Sequence, residues 1–410
     1  MSSILLSILT PPREIDNRVK RVTCPTKRMA IETEPKKTGL LIGGSGLIGG
    51  AITYYFKTHA CDSINLMAPN SKKLSLRVPN DIKQYFQKIK PDFIINAAIA
   101  AIDSDPLLCF ETNYIGAINL AKLAIQLNIP YIHFSSSATM PSGCDLSEED
   151  NLPLTPGLTN YAKSKLMAEM TLRHLHETEG LDYTIIRLAV VYGKHDHKIQ
   201  GFHRLFFSIV DQAIPFMLTK PGVKHSYTNT KKIAPFVHYL LNNRAEFSGQ
   251  TYNFVDPEPV ALADIILTIK RYLQLSLPKE IYIPYRLANF FKTVLKWIMK
   301  KLSVISIEAR MPAELMFLEN FYRSQTLSPT KLANSSYGIR QPEVTIFTEL
   351  PSIIEYYLTR WEHLNLISSF NESFYHPHTL AEEFATNPQE LVELIHTKKI
   401  DPMHDFCLIK

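Results

Sequence analysis

The chain has 410 residues, 45% of them hydrophobic, enough to bury a full core as one large domain plus a smaller lobe. A net charge of +5 is mild at this length, and no basic stripe interleaved with aromatics is present, so nucleic acid is not an expected partner. The five cysteines (Cys24, Cys61, Cys109, Cys144, Cys407) are widely spaced without a CxxC, no apolar run has membrane-spanning length, and no basic region precedes the ILLSIL stretch; free thiols and a cytoplasmic location are expected.

Residues 1–38 are rich in Lys, Arg, Pro and Thr without apolar periodicity and read as a loosely ordered extension. From Gly39 the pattern becomes strand, turn, helix, strand. Short apolar runs at Leu40–Ile42, Ile64–Met67, Phe93–Asn96, Tyr131–Phe134 and Tyr183–Leu188 read as strands. Helical stretches lie between them, from Ala51 to His59, Asp81–Ile89, Glu111–Leu127 and Asn160–Glu179, the last stopped by Gly180. Such alternation predicts an α/β fold, a doubly wound parallel sheet covered on both faces.

The first strand runs straight into GGSGLIGG, with Gly43, Gly46 and Gly49 at GxxGxxG spacing. Glycines there permit the turn, let the backbone approach a pyrophosphate, and let the following helix pack tightly. The helix N-terminus around Ser45, Leu47 and Ile48 supplies amides to the phosphates. Further along, FSSSAT (Phe134–Thr139) and YAKSK (Tyr161–Lys165) place a serine ahead of a Tyr and a Lys four apart. On a helix those two share a face. An ammonium beside a phenol favours the phenolate, and a serine hydroxyl can hold a substrate oxygen for proton transfer. Together they can move a proton on or off a C–O group while a hydride moves at carbon.

These strings, with INAAIAA at Ile95–Ala101, ETNYIGAINL at Glu111–Leu120, IIRLAVVYG at Ile185–Gly193 and YNFVDPEPV at Tyr252–Val260, resemble the extended short-chain dehydrogenase/reductase family, in that family's order, over about Gly39 to Trp361. SSSAT and YAKSKLMAE look most like UDP-galactose 4-epimerase, while the segment from Lys90 to Ala124 looks more like dTDP-4-dehydrorhamnose reductase. The resemblance implies a Rossmann-type fold with a smaller C-terminal substrate lobe, a nicotinamide cofactor, and Ser137, Tyr161 and Lys165 as the catalytic set. It also implies that Lys165 holds the nicotinamide ribose, that Ala97, Ala98 and Asn113 line the cofactor cleft, and that the helices Glu111–Leu127 and Asn160–Glu179 form a homodimer bundle. The expected organisation is a cofactor domain at 39–193 with 225–257 returning to it. Residues 194–224 and 258–361 form the substrate lobe, and 362–410 a tail of unassigned role.

Departures narrow the activity. Ser137 is followed by Ala138, Thr139 and Met140, without the carboxylates a dehydratase uses to protonate a leaving hydroxyl, and Pro141 stands where a Tyr is common. An Arg that often holds a nucleotide diphosphate is matched by His225, with Lys224 beside it. The reading is an NAD(P)-dependent oxidoreductase that transfers a hydride reversibly between cofactor and a ketone or secondary alcohol, with a nucleotide-sugar epimerase and an NADP(H)-binding regulatory or scaffold protein as alternatives. The substrate is a small molecule, either a sugar nucleotide or a hydrophobic alcohol or ketone. The second strand ends at Met67, Ala68 and Pro69, with no acid for an adenine ribose, and Ser71, Lys72 and Lys73 follow. This favours NADP(H) over NAD(H).

Between Ile281 and Ile307 there is no acidic residue. Leu287, Phe290, Phe291, Val294, Leu295, Ile298 and Met299 alternate with Arg286, Lys292, Lys296 and Lys300 at helical spacing. The first reading is a helix packing its apolar face on the lobe core; membrane-surface contact or an apolar lid is second. No metal is expected: His195, Asp196 and His197, and His376 with His378, lack a supporting ligand set. Leu380–His396 reads as a helix of interleaved acidic and apolar residues.

Overall fold

The computed structural model describes residues 36–196, 201–210, 216–304, 318–338, 344–363, 387–389 and 392–393. Most of the expected N-terminal extension and C-terminal tail, with His197, His376 and His378, lies outside the described residues. The strands in chain order are β1 (Lys37–Ile42), β2 (Ile64–Met67), β3 (Phe93–Asn96), β4 (Tyr131–Ser136), β5 (Gly143–Leu146), β6 (Tyr183–Leu188), β7 (Val190–Tyr192), β8 (Phe216–Leu218), β9 (Tyr227–Asn229), β10 (Gln250–Phe254), β11 (Lys279–Ile281) and β12 (Gln325–Leu327). Six of them form one wholly parallel sheet in the order β2-β1-β3-β4-β6-β10. Short parallel pairs, β5 with β12, β7 with β9 and β8 with β11, lie outside it.

The period-2 geometry of a strand explains why apolar residues fall at consecutive positions such as Leu40–Ile42, Phe93–Ile95 and Ile185–Ile186: successive side chains serve opposite faces, and both are covered. Leu40 and Ile42 join Ile94, Tyr131 and Ile185 in one buried cluster, while Leu41 joins Ile95, Ile132 and Ile186 in another. Helices Pro79–Lys88, Gly116–Leu127 and Asn160–Glu179 close the first face, and Leu47–His59 with Thr230–Asn242 the second. A third core contains Phe206, Ile265, Ile269, Ile354, Tyr357 and Trp361.

After β1 the chain moves to β2 on one side and then crosses to β3 on the other. The carboxyl ends of β1 and β3 therefore face a crevice from which the connections depart in opposite directions, the place where parallel α/β sheets bind ligands.

Two local expectations change. Glu111–Leu127 is not one regular helix: Pro106–Cys109, capped by Asp105, leads into a π-helical turn at Phe110–Ile115, and the α-helix proper begins at Gly116. A widened turn leaves no mark on a 3.6-residue apolar pattern. The helix Tyr285–Val304 forms, but its bulky face does not enter the third core. Ala288 is buried and Leu295 packs against the third cluster, whereas Leu287, Phe290, Phe291, Val294 and Ile298 are exposed.

Candidate active site

The glycine turn sits at the β1 end of the crevice. Gly43 has a φ of +87°, and a Cβ there would lie 2.6 Å from the Ala97 carbonyl and 2.7 Å from the Ala98 amide nitrogen. The turn thus lies against the backbone that leaves β3. A Cβ on Gly49 would come within 2.1 Å of the Gly43 carbonyl oxygen, so the helix can approach the turn only with glycine there. Helix Leu47–His59 starts at Gly46, with no side chain capping it and no acid in its first turn. Its leading amides have no partner within the helix, and the helix dipole favours an anion there. These features fit a dinucleotide pyrophosphate. Gly49→Ala is expected to abolish cofactor binding in a fluorescence titration and to destabilise the fold by about 1–3 kcal/mol in urea unfolding.

Tyr161 and Lys165 occupy the first turns of Asn160–Glu179, whose start is fixed by Thr159 accepting a hydrogen bond from the Ala162 amide at 3.2 Å. Both side chains are buried. Lys165 Nζ donates to the Phe134 carbonyl oxygen at 2.8 Å, so the ammonium is anchored at the carboxyl half of β4. Burial lowers its pKa to about 8, against a smaller upward pull from Glu169. Burial pushes the Tyr161 phenol up, the Ser136 hydroxyl pulls it down, and Cys109 adds to the rise. Desolvation wins here, and Tyr161 stands as a protonated acid rather than a phenolate.

The serine beside Tyr161 is a finding that the sequence reading missed. Ser136 exerts the hydrogen-bonding pull on the phenol, and its Oγ also accepts from the Ala138 amide at 3.2 Å. Ser137 opens the short 3₁₀ turn Ser137–Thr139, and its hydroxyl makes no hydrogen bond among the described residues. Its carbonyl accepts from Gln325 Nε2 at 3.1 Å, and the same amide donates to Met140 and Pro141 carbonyls at 3.2 Å each. Gln325, on β12 and 184 residues beyond Pro141, ties down the serine loop. Nothing local in the sequence marks it.

Asn113 is buried in the π-turn. Its Oδ1 accepts from the Ala100 amide at 2.8 Å, and its Nδ2 donates to Ser164 Oγ at 3.1 Å. It braces the loop after β3 against the helix that carries Tyr161. Beneath the serine loop, buried Glu169 accepts from Ser135 and from Thr139 (3.3 Å) and receives both Arg187 Nε contacts at 3.1 Å. Arg187 also donates to the Glu148 carbonyl at 2.7 Å and to Asn151.

Other expected residues lie apart from this set. Lys72 and Lys73 are exposed beyond β2, their amides held by Asn70 Oδ1 at 3.2 and 3.1 Å. His225 is buried, and Asn320 supplies a carbonyl 2.7 Å from its Nε2. Burial outweighs that bond and lowers its pKa, leaving a neutral ring rather than a cation for a diphosphate. Lys224 is exposed beside it.

Residues 40–253 match the sequence profile of the NAD dependent epimerase/dehydratase family. The chain belongs to that family. This member is 24% identical over 272 residues to GDP-L-fucose synthase of Dictyostelium discoideum, spanning 59% of this chain and 82% of that protein. Among solved structures it is similar to a dTDP-4-dehydrorhamnose reductase from Clostridium acetobutylicum, with a TM-score of 0.56 and 17% identity over 78% of this chain and 98% of that one. It is equally similar to the UDP-glucose 4-epimerase of Thermus thermophilus in complex with NAD: TM-score 0.56, 17% identity, 78% of this chain and 98% of that one. These likenesses place the fold among Rossmann-type epimerases and reductases, and the family is one of enzymes.

Proposed function

We propose that this enzyme is a nicotinamide-dependent oxidoreductase that interconverts a ketone and a secondary alcohol on a small molecule. The observation that carries the reading is the placement of a buried Tyr161–Lys165 pair against the serine loop at the carboxyl end of the same sheet whose β1–β3 crevice holds the glycine turn. Gly43, Gly46 and Gly49 with the amides of Leu47 and Ile48 hold the pyrophosphate, and Lys165 holds the ribose. A nicotinamide held there would supply or accept the hydride. Tyr161 gives its phenolic proton to the nascent alkoxide, Ser136 or Ser137 holds that oxygen, and the Lys165 ammonium stabilises the phenolate left behind.

A sugar nucleotide is the substrate class to try first, since the three relatives carry sugar-nucleotide names. The neutral, buried His225 does not supply the charge that an Arg at that position gives to a diphosphate, and so counts against a sugar nucleotide held in that way. We also propose NADP(H) as the cofactor. The end of β2 offers no carboxylate to an adenine ribose, and the only charged groups in the loop that follows it, up to Leu74, are Lys72 and Lys73. Fluorescence titration should show NADPH binding more tightly than NADH. The variant Lys72→Ala/Lys73→Ala should lose about tenfold or more for NADPH and nothing for NADH, the size of a lost charge-assisted hydrogen bond. Tighter NADH binding refutes the NADP(H) assignment, and turnover of dTDP-4-dehydrorhamnose with NADPH oxidation supports the substrate class.

A further inference from the structure

The helix Tyr285–Val304 divides its surface into stripes of different character. Ala288 is fully buried, and Tyr285 and Leu295 pack on the lobe core, so one narrow stripe anchors the helix to the protein. The opposite stripe is made of Leu287, Phe290, Phe291, Val294, Trp297 and Ile298, at the i, i+3, i+4, i+7 spacing of a single helix face. All six are exposed, Phe290 and Trp297 to 61% and Phe291 to 52%. A packed lobe helix would bury these residues and expose its polar ones. Here the large apolar side chains face outward.

The charge on this segment has one sign. The helix carries Arg286, Lys292, Lys296, Lys300 and Lys301, and no Asp or Glu occurs from Ile281 through Ile307. We propose that this helix is a membrane-surface anchor that lies in the interface of an anionic lipid bilayer, with Phe290 and Phe291 inserted among the acyl chains and the basic side chains at the headgroups. A helix rich in Lys and Arg with aromatic and branched apolar residues along one face has the composition that such anchors need. Basic residues near the surface are drawn to anionic headgroups within a Debye length. A second copy of this chain is a poorer occupant: a twofold contact would bring two faces of like charge together. No helix among the described residues is long and apolar enough to cross a membrane, which fits a helix lying on the surface rather than spanning it.

The attachment is independent of the hydride-transfer assignment, and its test reads lipid binding alone. Full-length protein is sedimented with vesicles of phosphatidylcholine, and with vesicles of phosphatidylcholine and phosphatidylglycerol. The expected result is partitioning at least roughly tenfold stronger onto the anionic vesicles, weakened by 0.5 M salt. Phe290→Ser/Phe291→Ser should reduce that partitioning by roughly tenfold or more with an unchanged circular dichroism spectrum, because exposed side chains leave the fold intact. Absence of binding, equal binding to both vesicle types, or full binding by the double variant overturns the proposal. So does a solution dimer that the double variant dissolves in protein without vesicle affinity.

Discussion

Tyr161→Phe should lower kcat by about 10²–10⁴-fold, the contribution of a positioned general acid, while nicotinamide cofactor affinity stays near the wild-type value. Phe keeps the ring in its buried site and removes only the hydroxyl that donates the proton. Full activity in this variant would remove Tyr161 from the chemistry. Paired Ser136→Ala and Ser137→Ala variants divide the remaining work: the larger loss in kcat marks the serine that holds the substrate oxygen. The pH profile gives a second readout. Lys165 has a pKa of about 8, below the ordinary lysine value because it is buried, so kcat/KM should fall as pH rises through about 8 and the ammonium is lost.

That fall is separable from unfolding by sign. Lys165 binds its proton less tightly in the folded chain than in the unfolded one. Between about 8 and 10.5 the unfolded state therefore holds more protons, and stability from this group rises with pH. A thermal midpoint that holds or climbs while kcat/KM drops assigns the loss to chemistry. A midpoint that drops in step with activity assigns it to the fold.

The parts of the site legible in the sequence are those whose spacing is local. Gly43, Gly46 and Gly49 stand within seven residues, and Tyr161 and Lys165 within five, so turn and helix geometry fix their relation before tertiary structure exists. Apolar strands fixed the parallel sheet for the same reason. Gln325 was not legible, because its partners Ser137, Met140 and Pro141 meet it only through the pairing of β5 with β12. Ser136 was hidden by identity of neighbours: three consecutive serines differ only in which way the strand end turns each of them. The exposed face of Tyr285–Val304 was misread because periodicity gives the existence of an apolar stripe and not what covers it.

Glu169→Ala should destabilise the fold by about 3–5 kcal/mol, measured by urea unfolding, because it leaves a buried guanidinium without its counter-charge. Arg187 is fully buried, and Glu169 is its carboxylate partner. The same substitution strips Ser135 and Thr139 of their acceptor and so loosens the serine loop from below. A double change to similar-sized apolar residues, Glu169→Leu with Arg187→Met, should cost less than the two single changes added together, since neither charge is then stranded. Glu169→Gln isolates the electrostatic link to the site. It retains an amide acceptor for the hydroxyls but removes the charge that raises the Lys165 pKa. The alkaline limb of kcat/KM should therefore move below 8 in Glu169→Gln. An unmoved limb with lowered stability would leave Glu169 a structural counter-ion to Arg187 and nothing more. A shifted limb makes the ion pair under the serine loop a positioning element that keeps the ammonium charged at neutral pH.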